Sequence, residues 1–304
     1  MKEFRMLSSD GKTALACYAT ETAHPRVMMQ ISHGMCEYFM RYEAFAEYLS
    51  ERSILVFGHD HLGHGSSAPS ADALGFTVSG GGADCLVEDV HRLTLHMKKQ
   101  YPTCEVVLFG HSMGSFIARE VIARHGREYV SAVICGTGGP DMPAGAGKLL
   151  ASALMLFGGE RSRSKLLKSI AFAGYNKRIS DQKTAMDWLT RDGETVERYL
   201  KDPFCTFVFT KRAFHDLFTL VSWVSHREWA SRVPDTLPLL VVSGEQDPVG
   251  AWGSGVKKVS DRLTAAGKNA TLRLFEGMRH EIVNEIGREQ VWKELEQWVS
   301  GFAR

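Results

Sequence analysis

Three residues of this chain have the types, and stand in the order, that acyl-transfer chemistry requires: Ser112, Asp247 and His280. Ser112 is the centre of Gly110-His111-Ser112-Met113-Gly114, a Gly-x-Ser-x-Gly pattern. Apolar Val106 to Phe109 precedes it, and a helical pattern follows. This predicts a buried strand, a sharp turn and a helix, with the hydroxyl exposed on a strained turn. The glycines flank the serine where side chains would collide with the neighbouring strand and helix. At the helix N-terminus, unpaired N–H groups and the positive end of the dipole favour developing negative charge. With 29 glycines in the chain, such a pattern arises by chance roughly one time in five. The partners of Ser112 therefore carry the argument.

A serine hydroxyl needs a general base, and the base needs an orienting carboxylate. In a parallel sheet the binding crevice lies at the carboxyl ends of the strands, so both should follow strands directly. Asp247, in Gly244-Glu245-Gln246-Asp247-Pro248, follows the apolar stretch ending at Ser243. His280, in Glu276-Gly277-Met278-Arg279-His280-Glu281, follows the stretch ending at Phe275. Alone, Asp247 reads as a turn residue before proline. His280 alone reads as a solvated loop histidine, one of 12 in the chain. The order serine, acid, histidine is the one that accompanies this strand–turn–helix. Glu245, nearer the strand end, is the alternative acid.

A developing oxyanion needs two preorganised N–H donors. Met113, after the nucleophile, supplies one. The loop His33-Gly34-Met35 is assigned the other, at Met35 N–H. His33 reads as a buried hydrogen-bonding post, because His280 already fills the base role. His61 and His64 beside Asp60 invite a metal reading, but no second element supplies converging ligands. No metal and no cofactor is expected. Cys36 reads as a small packing residue rather than a reactive thiol.

The elements that must position these residues alternate. Phe4 to Leu7 and Ala14 to Ala19 read as a hairpin around Ser9-Asp10-Gly11-Lys12. Strands are expected at Val27 to Ser32, Ile54 to Phe57, Val106 to Phe109, Ala132 to Cys135, Leu237 to Gly244 and Thr271 to Phe275. Helices are expected near Tyr42 to Glu51, Asp84 to Lys99, Ser112 to His125 and Gly253 to Ala266. A closing helix carries Val291, Leu295, Trp298 and Phe302 on one face. Such alternation implies an α/β fold with a mostly parallel, doubly wound sheet. From about Asp141 to Val233 the alternation stops and helical segments dominate. The expected organisation is a core of 1–138 and 234–304 with a helical cap, 139–233, inserted over one end of the sheet.

The composition narrows the class. With 44% hydrophobic and 23% charged residues the chain reads as an ordinary globular protein. A net charge of +1 provides no field for nucleic acid. Six scattered cysteines without C-x-x-C spacing fit a reducing cytosol. The N-terminal residues contain no signal-like apolar segment, so a cytoplasmic location is expected.

These pieces resemble the α/β-hydrolases of the monoacylglycerol lipase, lysophospholipase and serine aminopeptidase group. The matching segments are His33-Gly34-Met35-Cys36-Glu37 with Arg41-Tyr42, Asp60-His61-Leu62-Gly63-His64-Gly65-Ser66 and Gly110 to Gly114. Gly244 to Pro248 and Arg279-His280-Glu281 complete the set. Trp188-Leu189-Thr190-Arg191-Asp192 and Asp202-Pro203-Phe204-Cys205 resemble the cap of bacterial members often labelled lysophospholipases. The chain departs from the group at Cys36, where a small Gly or Ala is usual, and at Glu37-Tyr38, where the group has Glu-His. The resemblance implies an α/β-hydrolase fold and a carboxylic ester hydrolase. In it Ser112 attacks the acyl carbonyl, His280 takes the proton, Asp247 stabilises the imidazolium, and Met35 and Met113 hold the oxyanion. An aminopeptidase or amidase with the same triad is the alternative, with Asp187, Asp192, Glu194 or Asp202 holding a substrate ammonium. A non-catalytic binding protein would be expected to lack a triad member.

The cap's apolar Leu149 to Phe157, followed by Arg161, Arg163, Lys165 and Lys168, has two readings. One is a lid that binds an acyl chain and touches a lipid surface transiently. The other is a buried cap helix with a solvated basic end. An insertion over Ser112 favours acyl-chain binding, and Leu154, Phe157, Phe172, Tyr175 and Trp188 are the expected lining. Phe204, Phe207 and Phe209 could add to it. The oligomeric state is left open.

Overall fold

Strands β3 (Val27–Ser32), β4 (Ile54–His59), β6 (Ser131–Cys135) and β7 (Leu239–Gly244) are buried at every residue. Helices cover both faces of a central parallel strand, so polar–apolar alternation disappears. In the computed structural model, which describes residues 1–303, these strands belong to an eight-stranded sheet. Its order is β1-β2-β4-β3-β5-β6-β7-β8. Arg304, the last residue of the expected core segment 234–304, lies outside the described residues. β1 (Lys2–Leu7) and β2 (Ala14–Ala19) form the expected hairpin. β1–β2 and β2–β4 pair antiparallel, and every other pairing, through β5 (Glu105–His111) to β8 (Ala270–Phe275), is parallel.

The two faces of β5 feed different cores, as the two-residue period of a strand requires. Val106 and Leu108 pack with α2 (Gly82–Gln100), α3 (Met113–His125) and α8 (Ser254–Ala265). Val107 and Phe109 pack with α1 (Glu43–Ser50) and α9 (Arg288–Ser300). Of the residues expected on the last helix, Val291 and Leu295 are buried, Trp298 is partly buried and Phe302 follows the helix end.

Between β6 and β7 lie α4 (Ala144–Leu156), α5 (Lys165–Ala171), α6 (Gly193–Lys201) and α7 (Lys211–Ser225). Ala144, Gly147 and Ala151 are the buried residues of α4, so α7 approaches closely. A Cβ on Gly147 would stand 3.0 Å from the Phe218 ring. The insertion shares its packing with the core: Phe214, Leu220, Val221 and Val224 of α7 join Phe116 and Ile117 of α3 in one cluster.

One buried guanidinium holds both ends of this insertion. Arg119 of α3 donates to Val224 O at 2.6 Å, Gly138 O at 3.4 Å and Thr137 Oγ1 at 3.3 Å. It lies 4.2 Å over the Trp229 ring. Burial pulls its pKa down to about 9, with the Arg262 charge acting in the same direction. Among the described residues, no helix is long and apolar enough to cross a membrane.

Candidate active site

Ser112 is the single residue between β5 and α3, at φ +54° and ψ −120°. A non-glycine residue at positive φ is strained, and such strain persists only where the surroundings enforce it. Here they do. Ser112 N–H donates to Cys135 O on β6 at 3.0 Å. A Cβ on Gly110 would collide with Gly114 O, and one on Gly114 would collide with Ser32 O at the end of β3. These glycines let strand, helix and the loop after β3 close on one point. Gly34 completes the approach, since a Cβ there would lie 2.9 Å from Ser112 Cβ.

Asp247 and His280 meet at the cavity that Ser112 lines, each following a strand as expected. His280 Nδ1 lies 3.0 Å from Asp247 Oδ1. Asp247 is fully buried and accepts from Val249 N–H at 2.9 Å and Ser243 Oγ at 2.9 Å. Burial pushes its carboxyl up, but the His280 charge and these hydrogen bonds hold it below the ordinary value. A carboxylate at Nδ1 fixes the proton there and leaves Nε2 as the acceptor. Nε2 has no hydrogen-bond partner among the described residues. It and Ser112 line the same cavity. Glu245, the alternative acid, is exposed, with its backbone N–H bonded to Phe275 O at 3.0 Å.

Met35 and Met113 both line this cavity. Neither backbone N–H is bonded to an acceptor among the described residues. His33 lies under the loop, fully buried. Its Nδ1 donates to Gly34 O at 2.8 Å and its Nε2 accepts from His61 N–H at 2.9 Å. Burial and neighbouring His64 bring its pKa to about 3, so the ring is neutral. Cys36 is buried at φ +54°, where a residue without Cβ would be unstrained. Burial raises its thiol to about 12, which makes it inert.

Two residues that the sequence reading left without a role link the two halves of the site. His111, the first variable position of the Gly-x-Ser-x-Gly pattern, faces an acceptor at each ring nitrogen. Nδ1 is 3.1 Å from Glu37 Oε1 and Nε2 is 3.2 Å from His280 O. Both nitrogens must donate, so the ring is an imidazolium. Burial alone would lower the His111 pKa, but the bond to Glu37 and its charge raise it above the ordinary value. Glu37 also accepts from Gly34 N–H and, at 2.9 Å, from Tyr42 Oη. Burial opposes its ionisation, yet His111 and Arg41 hold it well below the carboxylate range. The buried pair thus ties the Gly34–Met35 loop to the backbone of His280. The sequence signal was Glu37 placed three residues after Gly34, readable only once both are known to share an interior.

The cavity, of about 250 Å³, is mostly apolar. Phe172, Tyr175 and Trp188 line it, with Trp188 5.0 Å from the His280 ring. Leu154 and Phe157 do not line it. Phe157 is 76% exposed, and α4 contributes Ala144, Gly147 and Leu150 from its earlier turns instead. The apolar run continues past the cavity, so its far end leaves the wall. Phe204, Phe207 and Phe209 also lie elsewhere, the last two against His64. None of the carboxylates considered for a substrate ammonium reaches the cavity. Asp187 accepts from Thr184 N–H, Asp192 caps α6, and Asp202 takes the Tyr38 hydroxyl at 2.8 Å.

Comparison with known proteins gives consistent findings. Residues 23–287 match the family described as "Hydrolase_4: Serine aminopeptidase, S33". Monoglyceride lipase of Homo sapiens is 28% identical over 300 residues, covering 97% of this chain and 89% of that protein. Monoacylglycerol lipase of Mycolicibacterium smegmatis is 28% identical over 286 residues, covering 92% and 90%. A highly thermostable carboxyl esterase from Bacillus coagulans, solved in complex with glycerol, superposes with a TM-score of 0.93. It is 30% identical and covers 99% of this chain and 98% of that one.

Proposed function

The chain belongs to the Hydrolase_4 (serine aminopeptidase, S33) family of α/β-hydrolases and is an ester-cleaving serine hydrolase; from that premise we propose that it cleaves monoacyl esters of small polar alcohols, monoacylglycerol-like or lysophospholipid-like, through an acyl-enzyme on Ser112. The observation that carries this reading is the buried Asp247–His280 pair opening, beside Ser112, into an apolar cavity walled by α4 and α7. Ser112 Oγ attacks the acyl carbonyl carbon and passes its proton to His280 Nε2. Asp247 stabilises the resulting imidazolium. The free N–H groups of Met35 and Met113 receive the oxyanion. His280 then protonates the departing alkoxide, and water releases the acid by the same steps in reverse order.

Residues 139–233 act in this reading as a cap that roofs the site. The acyl chain lies between α4 and α7, against Leu150, Leu217 and Phe218, and the alcohol lies near Tyr175 and Trp188. Relatives named monoglyceride lipase and an esterase solved with glycerol support an alcohol of that kind. Six unpaired cysteines support a reducing compartment, the cytosol. Leu149, Leu156 and Phe157 are 74%, 83% and 76% exposed, which supports transient contact of the cap with a lipid surface.

The test is a panel of p-nitrophenyl esters of rising chain length, monoacylglycerols, lysophosphatidylcholine and aminoacyl anilides. Hydrolysis of the glycerol or lysophospholipid esters, abolished in Ser112→Ala, is expected. Turnover of anilides above esters, or an active Ser112→Ala, would overturn the reading. Phe157→Ser should weaken retention on phosphatidylcholine vesicles while leaving turnover of a short soluble ester unchanged.

A further inference from the structure

At the far end of α3 from Ser112, about 18 Å along the helix, His125 meets Glu88 and His91 of α2. Glu88 and His91 stand one turn apart and share a face. Glu88 Oε1 lies 3.0 Å from His125 Nε2, and Glu88 Oε2 lies 3.8 Å from His91 Nδ1. The two imidazoles stack at 3.7 Å and 7°. One ligand atom from each residue lies within 4.8 Å of the other two.

We propose that Glu88, His91 and His125 form a site for a zinc-class divalent ion, which clips α2 to α3. Two imidazoles and one carboxylate are the donor set that borderline transition ions take, with the remaining positions open to water. The edges of both rings already face one carboxylate. Zinc–nitrogen bonds of about 2.0–2.1 Å require the two rings to turn apart about their side-chain torsions, with the helices in place. The side chains keep 35%, 17% and 24% of their exposure, so an ion can enter from solvent.

Charge around the site permits a cation. Arg124 Nη1 lies 3.6 Å from Glu88 Oε1, but it is held by Asp84 at 2.7 Å, and its Nε by Glu120 at 2.9 Å. Lys98 is paired with Glu128 at 2.8 Å, and Arg232 with Glu120. On binding, Zn²⁺ takes the Nε2 lone pair of His125 in place of the hydrogen bond to Glu88, and the neutral ring keeps its one proton on Nδ1.

The experiment titrates chelator-treated protein with Zn²⁺ by calorimetry and with Co²⁺ by absorption. It uses the parent chain, His125→Gln, His91→Gln, Glu88→Gln and, as a control distant from the site, His96→Gln. One ion per chain is expected. Affinity should fall roughly tenfold or more in each of the first three variants and stay unchanged in the control. Zinc should raise the thermal unfolding temperature of the parent by a few degrees but not that of His125→Gln, and Mg²⁺ should not act. Binding below one ion per chain, or binding unaltered in both histidine variants, would overturn the site. Circular dichroism of each metal-free variant establishes that it is folded. No measurement here reads ester hydrolysis, so failure of this site and failure of the proposed reaction are separate results.

Discussion

His111 carries its charge because of what it faces, and the same logic separates the carboxylates near it. Glu37 and Asp247 are both buried, but each is surrounded by donors, so burial does not neutralise them. Asp247→Asn keeps the shape and loses the charge that fixes the His280 tautomer. Turnover of a p-nitrophenyl ester should fall about 10⁴-fold, with substrate binding retained in a Ser112→Ala background. Glu245→Gln should leave turnover unchanged. Glu37→Gln removes the counter-ion of a buried imidazolium, so kcat should fall while KM moves little. The ¹⁵N shifts of the His111 ring should then change from imidazolium to neutral. An unchanged His111 spectrum in Glu37→Gln would refute the charge assignment. Residue types alone offered Asp247 as the acid with Glu245 as its alternative, because both follow the same strand. Burial and the bond to His280 separated them.

At the scale of elements, the site exists because β5, α3 and the loop after β3 come closer than side chains allow. Gly114→Ala would drive a Cβ into the Ser32 and His33 carbonyls, which are backbone and cannot swing away. A loss of roughly 1–3 kcal/mol in urea unfolding, with collapse of turnover, is expected. Arg119→Met fills similar space but strands the carbonyls of Val224 and Gly138. Stability should fall by about 1–3 kcal/mol, and the insertion should be cut faster in limited proteolysis. Equal proteolysis of parent and variant would show that this guanidinium does not hold the insertion. Every strand and nearly every helix of the sheet was legible in the sequence, because buried parallel strands are continuous apolar runs. The insertion was legible only as helical, since its side chains divide between cavity, core and solvent without a period of their own. That is why Leu154 and Phe157 were misplaced.

For the whole molecule, buried histidines set the acid limit. His33 and His59 are held near 3, His64 near 4 and His61 well below 6.5, each chiefly by burial. These folded values lie under the unfolded value near 6.5, so the unfolded chain takes up protons first. The stability they contribute is complete above pH 6.5 and is lost as pH falls toward 3–4. Each adds about 1.4 kcal/mol per pH unit to the slope once below 6.5. His111 has the opposite sign: its folded value is raised, so its contribution is complete below 6.5 and is lost as pH rises through that value. Urea midpoints should therefore fall steeply between pH 6.5 and 5. A flat profile would mean that these rings are protonated in the folded chain.

By itself the sequence determined the order of strands and helices, the strained turn at Ser112 and the three residue types that belong with it. Each of those signals is local: a run of apolar residues, a glycine beside a serine, an acid or a histidine at a strand end. The tertiary structure decided what depends on distance between segments far apart in the chain. It put Asp247 against His280 Nδ1 and left Glu245 exposed, and it made His111 a cation by placing Glu37 and the His280 carbonyl on either side of it. It set the cavity wall at Gly147 and Leu150 rather than Leu154 and Phe157. It brought His125 beside Glu88 and His91. Protonation states and walls are properties of surroundings, and a chain acquires surroundings only by folding.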